Sequence, residues 1–484
     1  MFENISEKQV YKNLINGEWI MSSENLIEIK SPLDNSLVGK VSGMSQSQVD
    51  EVMFIAKTSQ KTWQEVPLTK RGDILLKAAD LLEENAGKIA DVMLYEICKD
   101  RKGGIGEVKR TADLIRATVA SMGILEGESL VGDGFPGFTK NKMAMIIREP
   151  LGIVLAISPF NYPINLAASK IAPALLAGNT VVFKPATQGV ISAMHMVRVF
   201  EEAGLPAGTL NTVTGYGKEI GDYLVSHKRI NFINFTGSTE VGEKIAQLAG
   251  MKGLIMELGG KDAAIVLEDA NLELAADNIV AGAFSYSGQR CTAVKRILAL
   301  ESIADELVAL IKERINKLKV GNPIEQDVTI VPLIDSRTAD FVMELIQDAM
   351  EKGGTLVTGG DRESNLIYPT LIDNVDLTMR LAWEEPFGPV LPVIRVENVG
   401  KAINIANQSE YGLQSSVFTN SIDAAFYVAT RLDVGSVQIN GKTERGPDTF
   451  PFAGVKSSGI GVQGVKYALE AMTRPKGIVF NLKE

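Results

Sequence analysis

Short apolar runs that alternate with helical patterns constrain the fold of this chain more than any other feature. Beyond residue 150, such runs occupy residues 153–157, 180–183, 230–235, 254–258 and 263–267. Amphipathic helical patterns fill the gaps, as at residues 192–203, which precede the turn formers Gly204 and Pro206. Strands that alternate with helices indicate a parallel, doubly wound sheet, so we predict an α/β fold.

The alternation continues in the second half of the chain and predicts a second α/β domain there. Its strand candidates are residues 297–300, 390–396 and 434–439. A chain of 484 residues also exceeds what a single hydrophobic core organises, so two or three domains are expected. Two further strand patterns, residues 139–148 and 476–483, interrupt this order and are flanked by charge. We predict that they pair with each other or add to the sheet edge of another subunit.

The composition argues against several functional classes. The net charge is −10 and no long basic run occurs, so nucleic-acid binding is not expected. The two cysteines form no disulfide framework and favour a reducing compartment, and the acidic N-terminus does not resemble a signal peptide. We therefore expect a cytoplasmic protein.

The sequence also predicts neither a membrane helix nor a metal site. Prolines and Lys170 interrupt the apolar segment 151–183, which leaves no run of about 20 apolar residues for a membrane helix. His195 and His227 show no metal-ligand spacing, so no metal site is predicted.

One of the two cysteines lies in a run that is typical of a catalytic nucleophile. Residues 284–292 read Phe-Ser-Tyr-Ser-Gly-Gln-Arg-Cys-Thr, so Cys291 follows a glycine-containing turn and adjoins Arg290. Cysteine attacks as the thiolate, and a neighbouring guanidinium favours that charged form. We therefore expect a reactive thiol with a lowered pKa at Cys291. Cys98 lies in a helical pattern and is interpreted as a packing residue.

A carboxylate suited to the activation of water ends an apolar strand pattern upstream of this run. Glu257 follows Leu254-Ile-Met256 and precedes a leucine and two glycines. A nucleophilic cysteine and such a carboxylate together predict a covalent thioester that is then hydrolysed.

Two loops that follow strands carry groups suited to a nucleotide. Gly237 and Ser238 open a helix, where backbone N–H groups favour a pyrophosphate, although the spacing departs from G-x-G-x-x-G. Lys184 ends another strand and can reach a ribose or a phosphate. No acidic residue follows it within the next few positions, so nothing there repels the 2′-phosphate of NADP. The alternatives are an ordinary strand-to-helix turn and a surface lysine.

Two other loops carry groups suited to the reacting part of a substrate and a cofactor. Asn161 follows a strand, and its amide can donate to a developing oxyanion, although it is also a common turn former. Glu385 and Phe387 adjoin each other in a loop of residues 384–389. A carboxylate beside an aromatic ring can hold a ribose and cover a flat ring, whereas adjacent acids are more often simply solvated.

These segments, in this order, resemble the aldehyde dehydrogenase superfamily over almost the whole chain. The similarity rests on residues 158–163, 235–238, 257–260, 288–291 and 385–388. It implies an aldehyde dehydrogenase-like fold with a Rossmann-type cofactor domain, an α/β catalytic domain and small oligomerisation strands. The implied division is residues 1–130 and 149–258 for the cofactor domain, 259–455 for the catalytic domain, and 131–148 with 456–484 for the oligomerisation element.

Within that superfamily, the chain is most similar to the branch that oxidises glyceraldehyde 3-phosphate to 3-phosphoglycerate with NADP and water. The resemblance implies that Cys291 attacks the aldehyde, that Asn161 holds the oxyanion, and that Glu257 activates water. It assigns substrate binding to Arg110, Tyr162, Arg290, Thr292 and Arg445. It assigns cofactor binding to Lys184, Thr187, Gly237, Ser238, Leu258, Glu385 and Phe387. A homotetramer is the implied assembly.

Three other interpretations compete with this one. An aldehyde dehydrogenase for another anionic aldehyde, such as succinate semialdehyde, would use the same arginines for a carboxylate. Acylating relatives that use coenzyme A lack a glutamate at the position of Glu257, so its presence argues against them. A non-catalytic protein with the same fold is also disfavoured, because Cys291, Glu257 and Asn161 are all intact.

Overall fold

Two mainly parallel sheets organise the chain. A computed structural model describes residues 1–22 and 25–482. The first sheet has six strands, of which the last is antiparallel to its neighbour. In spatial order its strands are Leu210–Thr212, Thr180–Lys184, Ile153–Ile157, Ile230–Thr236, Gly253–Glu257 and Gly459–Ile460.

The second sheet has seven strands, and only the first runs antiparallel to its neighbour. In spatial order the strands are Thr355–Thr358, Thr370–Asp373, Val390–Val396, Arg296–Leu300, Ala263–Val266, Gln414–Phe418 and Ser436–Ile439. Apart from Gly459–Ile460, the strands of the first sheet precede those of the second along the chain, and the predicted division into domains stays a prediction.

Helices cover both faces of both sheets. The side chains of Val154 and Ala156 join one hydrophobic cluster, while those of Ile153 and Leu155 join another on the opposite face. This alternation follows from the two-residue period of a strand, and burial on both faces explains the uninterrupted apolar runs in the sequence. The helices are Gln46–Trp63, Leu68–Glu84, Ala86–Ile97, Arg101–Ala120, Asn165–Leu176, Val190–Glu202, Asp222–Ser226, Thr239–Leu248, Leu272–Phe284, Glu301–Ile315, Ser336–Glu351, Val399–Gln408, Ile422–Ala429 and Val465–Ala471.

The remaining strands form smaller sheets. The four-stranded sheet near the N-terminus has the order Ser6–Glu7, Val10–Tyr11, Leu37–Ser42 and Leu26–Lys30. Two-stranded pairs join Asn13–Ile15 with Glu18–Ile20, Arg362–Glu363 with Leu366–Ile367, and Tyr411–Gly412 with Val455–Lys456.

The two strands that interrupt the alternation pair with each other. Thr473–Asn481 lies antiparallel to Lys142–Pro150, which also pairs with Glu128–Val131. This outcome confirms the first of the two pairings predicted for residues 139–148 and 476–483, although Lys483 lies outside the described residues. Before this sheet, Gly459–Ile460 joins the six-stranded sheet and Val465–Ala471 packs against two helices of the first half.

The fold confirms the predicted α/β class, and most strand bounds agree with the sequence patterns. Ile153–Ile157 and Val390–Val396 begin and end at the predicted residues. The helix predicted at 192–203 is Val190–Glu202, and it begins after Gly189 in a left-handed conformation. Among the described residues, no helix combines the length and the apolar character needed to cross a membrane.

Candidate active site

A cleft of about 720 Å³ lies at the carboxyl ends of the six-stranded sheet. Parallel sheets bind ligands at this end because the loops that follow the strands converge there. Glu257 and Lys184 are the last residues of their strands, and Asn161 lies in the loop after Ile153–Ile157. The segment with Cys291 approaches from the second half of the chain. The cleft is lined by Asn161, Lys184, Gly237, Ser238, Leu258, Cys291, Glu385 and Phe387, among others.

Cys291 is presented by a tight left-handed turn. Tyr286 and Ser287 have φ angles of 52° and 54°, and Gly288 continues at 71°. Such angles are costly for residues with a side chain and require support from the surroundings. The Tyr286 hydroxyl donates to the Ile97 carbonyl at 2.8 Å, and the Ser287 hydroxyl donates to the Val331 carbonyl at 2.8 Å. The turn is therefore anchored from both sides, and Cys291 follows it in a partly exposed position.

The expectation of a lowered Cys291 pKa is wrong for the protein without ligands. Burial raises the pKa of the Cys291 thiol to about 11, and nearby carboxylates add to this effect. The cation that opposes it is Lys295, not the adjacent Arg290. The guanidinium of Arg290 is buried and donates to the Gly282 carbonyl at 2.5 Å. Sequence adjacency therefore did not reveal which charge acts on the thiol.

This environment predicts a strong pH dependence of Cys291 alkylation. The thiolate is the reacting form, so below a pKa of about 11 its fraction rises about tenfold for each pH unit. We expect the rate of alkylation by iodoacetamide in the cofactor-free protein to rise with unit slope from neutral pH to about pH 10. Mass spectrometry of the peptide containing Cys291 measures this rate. A plateau near neutral pH would contradict the prediction.

Glu257 is buried and engaged on both carboxylate oxygens. The Arg445 Nη1 donates to Oε1 and to Oε2, each at 2.9 Å, and the Thr236 hydroxyl donates to Oε2 at 3.1 Å. The charge of Glu257 is among those that raise the Cys291 pKa, so the two groups lie close enough to interact. Its role as the base that activates water remains a prediction.

A buried lysine that no sequence motif indicated lies behind Glu257. The Lys170 Nζ donates to the Thr236 hydroxyl at 2.7 Å, and that hydroxyl in turn donates to the Glu257 carboxylate. Burial lowers the pKa of Lys170 to about 7, and the carboxylate of Glu257 opposes that shift. Every residue of the helix Asn165–Leu176 is buried. A lysine within such an apolar helical pattern is the sequence signal that could have identified it.

Asn161 lies directly against the turn that carries the nucleophile. Its side-chain Nδ2 donates to the Gln289 carbonyl at 2.9 Å, while its own carbonyl accepts from Lys99 Nζ at 2.8 Å. Lys99 also pairs with Glu107 at 2.5 Å and lies 3.6 Å from the centre of the Tyr162 ring. This buried lysine therefore fixes both Asn161 and Tyr162. No motif in the sequence indicated that Lys99 contacts these two residues.

The predicted cofactor residues lie in the cleft, with the exception of Thr187. Gly237 and Ser238 directly precede the helix Thr239–Leu248, and a Cβ added to Gly237 would come within 2.4 Å of the Phe235 ring. Leu258 packs against Gly242 of that helix, where a Cβ would come within 2.4 Å of it. Thr187 is half-buried beyond Ala186, and it is not part of the cleft lining.

Glu385 and Phe387 lie at the side of the cleft that faces Cys291. The Phe387 ring meets the Phe160 ring edge-on, with the centroids 6.0 Å apart. Glu385 forms an ion pair with the buried Lys295 at 3.0 Å. Lys295 also donates to the backbone carbonyl of Cys291, so it connects the nucleophile segment with the Glu385 loop. Lys295 is a second residue that the sequence analysis did not assign to the site.

Two of the three predicted substrate arginines converge on one buried carboxylate. Arg110 donates to Asp448 through Nε at 2.8 Å and Nη2 at 2.9 Å, and Arg445 donates to it through Nε at 3.3 Å. Burial alone would raise the pKa of Asp448, but both guanidiniums outweigh it and lower that pKa. Arg290 does not join this pair, because its guanidinium donates to the Gly282 carbonyl. Thr292 is buried, and its carbonyl accepts from the Thr443 hydroxyl at 2.9 Å.

Comparisons with known proteins agree with this geometry. The chain belongs to the aldehyde dehydrogenase family, whose profile matches residues 19–478. An NADP-dependent glyceraldehyde-3-phosphate dehydrogenase of Streptococcus equinus is 57% identical over 98% of this chain and 99% of its own length. The enzyme of the same name from Arabidopsis thaliana is 48% identical over 100% of this chain and 97% of its own.

A solved structure has the same architecture. The NADP complex of the NADP-dependent glyceraldehyde-3-phosphate dehydrogenase from Bacillus halodurans C-125 superposes with a TM-score of 0.96. It is 53% identical and covers 98% of this chain and 99% of its own. These relatives cover 98% to 100% of this chain, so the similarity extends over nearly all of its length.

Proposed function

We propose that this chain oxidises glyceraldehyde 3-phosphate to 3-phosphoglycerate with NADP and water. The observation that carries the proposal is the arrangement of three groups: the Cys291 thiol lines the cleft, the Glu257 carboxylate ends a strand of the sheet beside it, and Arg445 joins Glu257 to Asp448 and Arg110. A thiol, a base and a hydride acceptor such as NADP together allow an aldehyde to be oxidised by way of a thioester. The two guanidiniums beside them suit a phosphate dianion.

Residues of the chain provide the nucleophile, the oxyanion donors and the base of the proposed reaction, and the bound cofactor would take the hydride. The Cys291 sulfur attacks the aldehyde carbon, and the oxyanion that forms accepts from the Asn161 amide and the Cys291 backbone N–H. Nδ2 of Asn161 carries two hydrogens, of which the observed contact with Gln289 uses one. After oxidation, the acyl group remains on sulfur as a thioester. Glu257 then takes a proton from water as the water oxygen bonds to the acyl carbon.

The residues of the cleft fit a nicotinamide dinucleotide. Lys184 is buried, and its nearest acceptor is the Pro185 carbonyl at 3.3 Å. Burial lowers the pKa of its ammonium group to about 8, and none of the described carboxylates pairs with it. A phosphate would supply the missing negative charge. Glu385 and Phe387 would hold the ribose and the ring near Cys291, and the cofactor would supply the hydride acceptor.

Replacement of Lys184 with methionine is expected to weaken the use of NADP selectively. A buried, charge-assisted contact with the 2′-phosphate would be lost, which corresponds to a 10- to 100-fold fall in kcat/KM for NADP, roughly the worth of one hydrogen bond to a charged group. The value for NAD, measured in the same preparation, serves as the control and should change by less than about threefold. Equal losses with both cofactors would contradict the assignment of Lys184 to the 2′-phosphate.

The direct test of the function is an assay of the purified protein with glyceraldehyde 3-phosphate and NADP in the absence of inorganic phosphate. Turnover to 3-phosphoglycerate would support both the hydrolytic mechanism and the phosphorylated substrate. Activity only with an unphosphorylated anionic aldehyde, such as succinate semialdehyde, would keep the roles of Cys291 and Glu257. It would remove the phosphate-binding role of Arg110, Arg290 and Arg445.

We also propose a homotetramer that assembles through the three-stranded sheet, in a cytoplasmic setting. The sheet exposes apolar side chains, with Val479, Phe480 and Leu482 each more than two-fifths exposed. Because Gly459–Ile460 belongs to the six-stranded sheet, we propose that the oligomerisation element within 456–484 begins at the strand Thr473–Asn481. The division into a cofactor domain of residues 1–130 and 149–258 and a catalytic domain of residues 259–455 stays a prediction. A monomeric mass in light scattering at micromolar concentration would contradict the assembly.

A further inference from the structure

Arg445 makes contacts that two different functions would need at the same time. Its guanidinium donates to both oxygens of Glu257, to Gln463 at 2.8 Å and to Asp448 at 3.3 Å. All three nitrogens of the guanidinium are therefore engaged. Nη1 lies 2.9 Å from both oxygens of Glu257, so one N–H group is shared between them. A phosphate dianion bound to Arg445 would compete with the Glu257 carboxylate for the same guanidinium.

The contact with Arg445 opposes the action of Glu257 as a base. General base catalysis transfers a proton to the carboxylate and removes the negative charge that the guanidinium stabilises. Here the Arg445 guanidinium contacts both oxygens, and Thr236 adds a third contact. The side chain of Glu257 is 3% exposed and that of Arg445 is 12% exposed, so solvent does not compete for the pair.

Arg110 differs from Arg445 in the hydrogen bonds that its guanidinium makes. It contacts Asp448 through Nε and Nη2, and its Nη1 makes no hydrogen bond to the described residues. Its side chain is also 40% exposed. Arg110 can therefore bind a phosphate through Nη1 while it keeps its existing contacts. It makes no hydrogen bond to Glu257.

We propose that Arg445 holds Glu257 inactive until the phosphate of the substrate draws the guanidinium away, so that recognition of the phosphate releases the base for hydrolysis. This inference rests on the proposed function. The released carboxylate takes one proton from water while the water oxygen bonds to the acyl carbon. The carbon–sulfur bond then breaks, its electron pair returns to the Cys291 sulfur, and the acid leaves. Specificity for a phosphorylated aldehyde thus arises in hydrolysis as well as in binding.

The inference can be tested with a substrate divided into two pieces. Glyceraldehyde supplies the aldehyde, and inorganic phosphite supplies a dianion that is not attached to it. In the unmodified enzyme, phosphite is expected to speed hydrolysis of the glyceryl thioester by about tenfold, measured as the steady rate after the first turnover. This measurement uses the unmodified enzyme and therefore does not depend on the folding of any variant. No effect of phosphite at concentrations that inhibit turnover of glyceraldehyde 3-phosphate would overturn the proposal.

Two arginine variants provide a matched comparison. Arg445→Met removes the contact with Glu257, so hydrolysis of the glyceryl thioester should rise about tenfold without phosphite and gain nothing further from it. Arg110→Met also removes a phosphate contact, but it should give no such gain. Slower thioester hydrolysis in Arg445→Met than in Arg110→Met would overturn the release mechanism.

The same data separate failure of the inference from failure of the proposed function. If the unmodified enzyme does not turn over glyceraldehyde 3-phosphate, the proposed function itself fails. If it does, and both arginine variants lower kcat/KM for that substrate, the phosphate site stands. In that case, a lack of response to phosphite and to Arg445→Met rejects only the coupling between phosphate and base.

Discussion

Replacement of Cys291 with serine is expected to reduce aldehyde oxidation by about 10⁴-fold or more, while the chain remains folded. The thiol is the only group in the cleft that can form a thioester, and a serine hydroxyl is a far weaker nucleophile without an activating base beside it. Formation of the reduced cofactor with glyceraldehyde 3-phosphate measures the loss. Retention of more than a few per cent of the activity would exclude Cys291 as the nucleophile.

Cys98 provides the matched control because it is the other cysteine of the chain. It is fully buried in a left-handed conformation after the helix Ala86–Ile97, and burial raises its pKa to about 12. Cys98→Ser is expected to keep most of the activity and to lower stability by about 1 kcal/mol, since it places a hydroxyl in an apolar site. Thermal unfolding of both variants separates loss of folding from loss of chemistry.

Replacement of Glu257 with glutamine is expected to stop the reaction after its first turnover. The thioester should still form, so each active site should release about one reduced cofactor in an initial burst. The subsequent steady rate should fall by about 10²- to 10⁴-fold, because the amide cannot take a proton from water. Rapid-mixing measurements of cofactor reduction resolve the burst from the steady rate.

Glu268→Gln serves as the control for this substitution because Glu268 is an exposed carboxylate just beyond the strand Ala263–Val266. It should leave both phases unchanged. If the burst in Glu257→Gln is slowed as much as the steady rate, Glu257 acts before thioester formation and the assignment to hydrolysis is wrong. A covalent adduct on Cys291 in the quenched protein would identify the step directly.

Local patterns determined most of the architecture. The strands Ile153–Ile157 and Val390–Val396 could be predicted residue by residue, because a strand buried on both faces leaves an uninterrupted apolar run. The motifs around Cys291 and Asn161 likewise identified groups that line one cleft, and the motif around Glu257 identified a carboxylate at the end of a strand beside it. These are properties of a few consecutive residues, and they do not depend on what packs against them.

The electrostatics of the site could not be predicted in the same way. Adjacency favoured Arg290 as the cation beside Cys291, but its side chain turns to the Gly282 carbonyl. Lys295 acts on the thiol instead, and burial dominates the thiol pKa. The desolvation of a group depends on everything that surrounds it, and a sequence records only its chain neighbours.

The sequence by itself determined the α/β fold class and identified the candidate nucleophile and the candidate carboxylate. Only the tertiary structure decided how those groups are restrained. Arg445 and Glu257 are 188 residues apart in the chain but share two hydrogen bonds of 2.9 Å. Asp448 joins Arg445 to Arg110, which is 338 residues from that carboxylate. Periodicity reports which residues are buried, whereas the pairing of buried charges follows from the packing of distant elements.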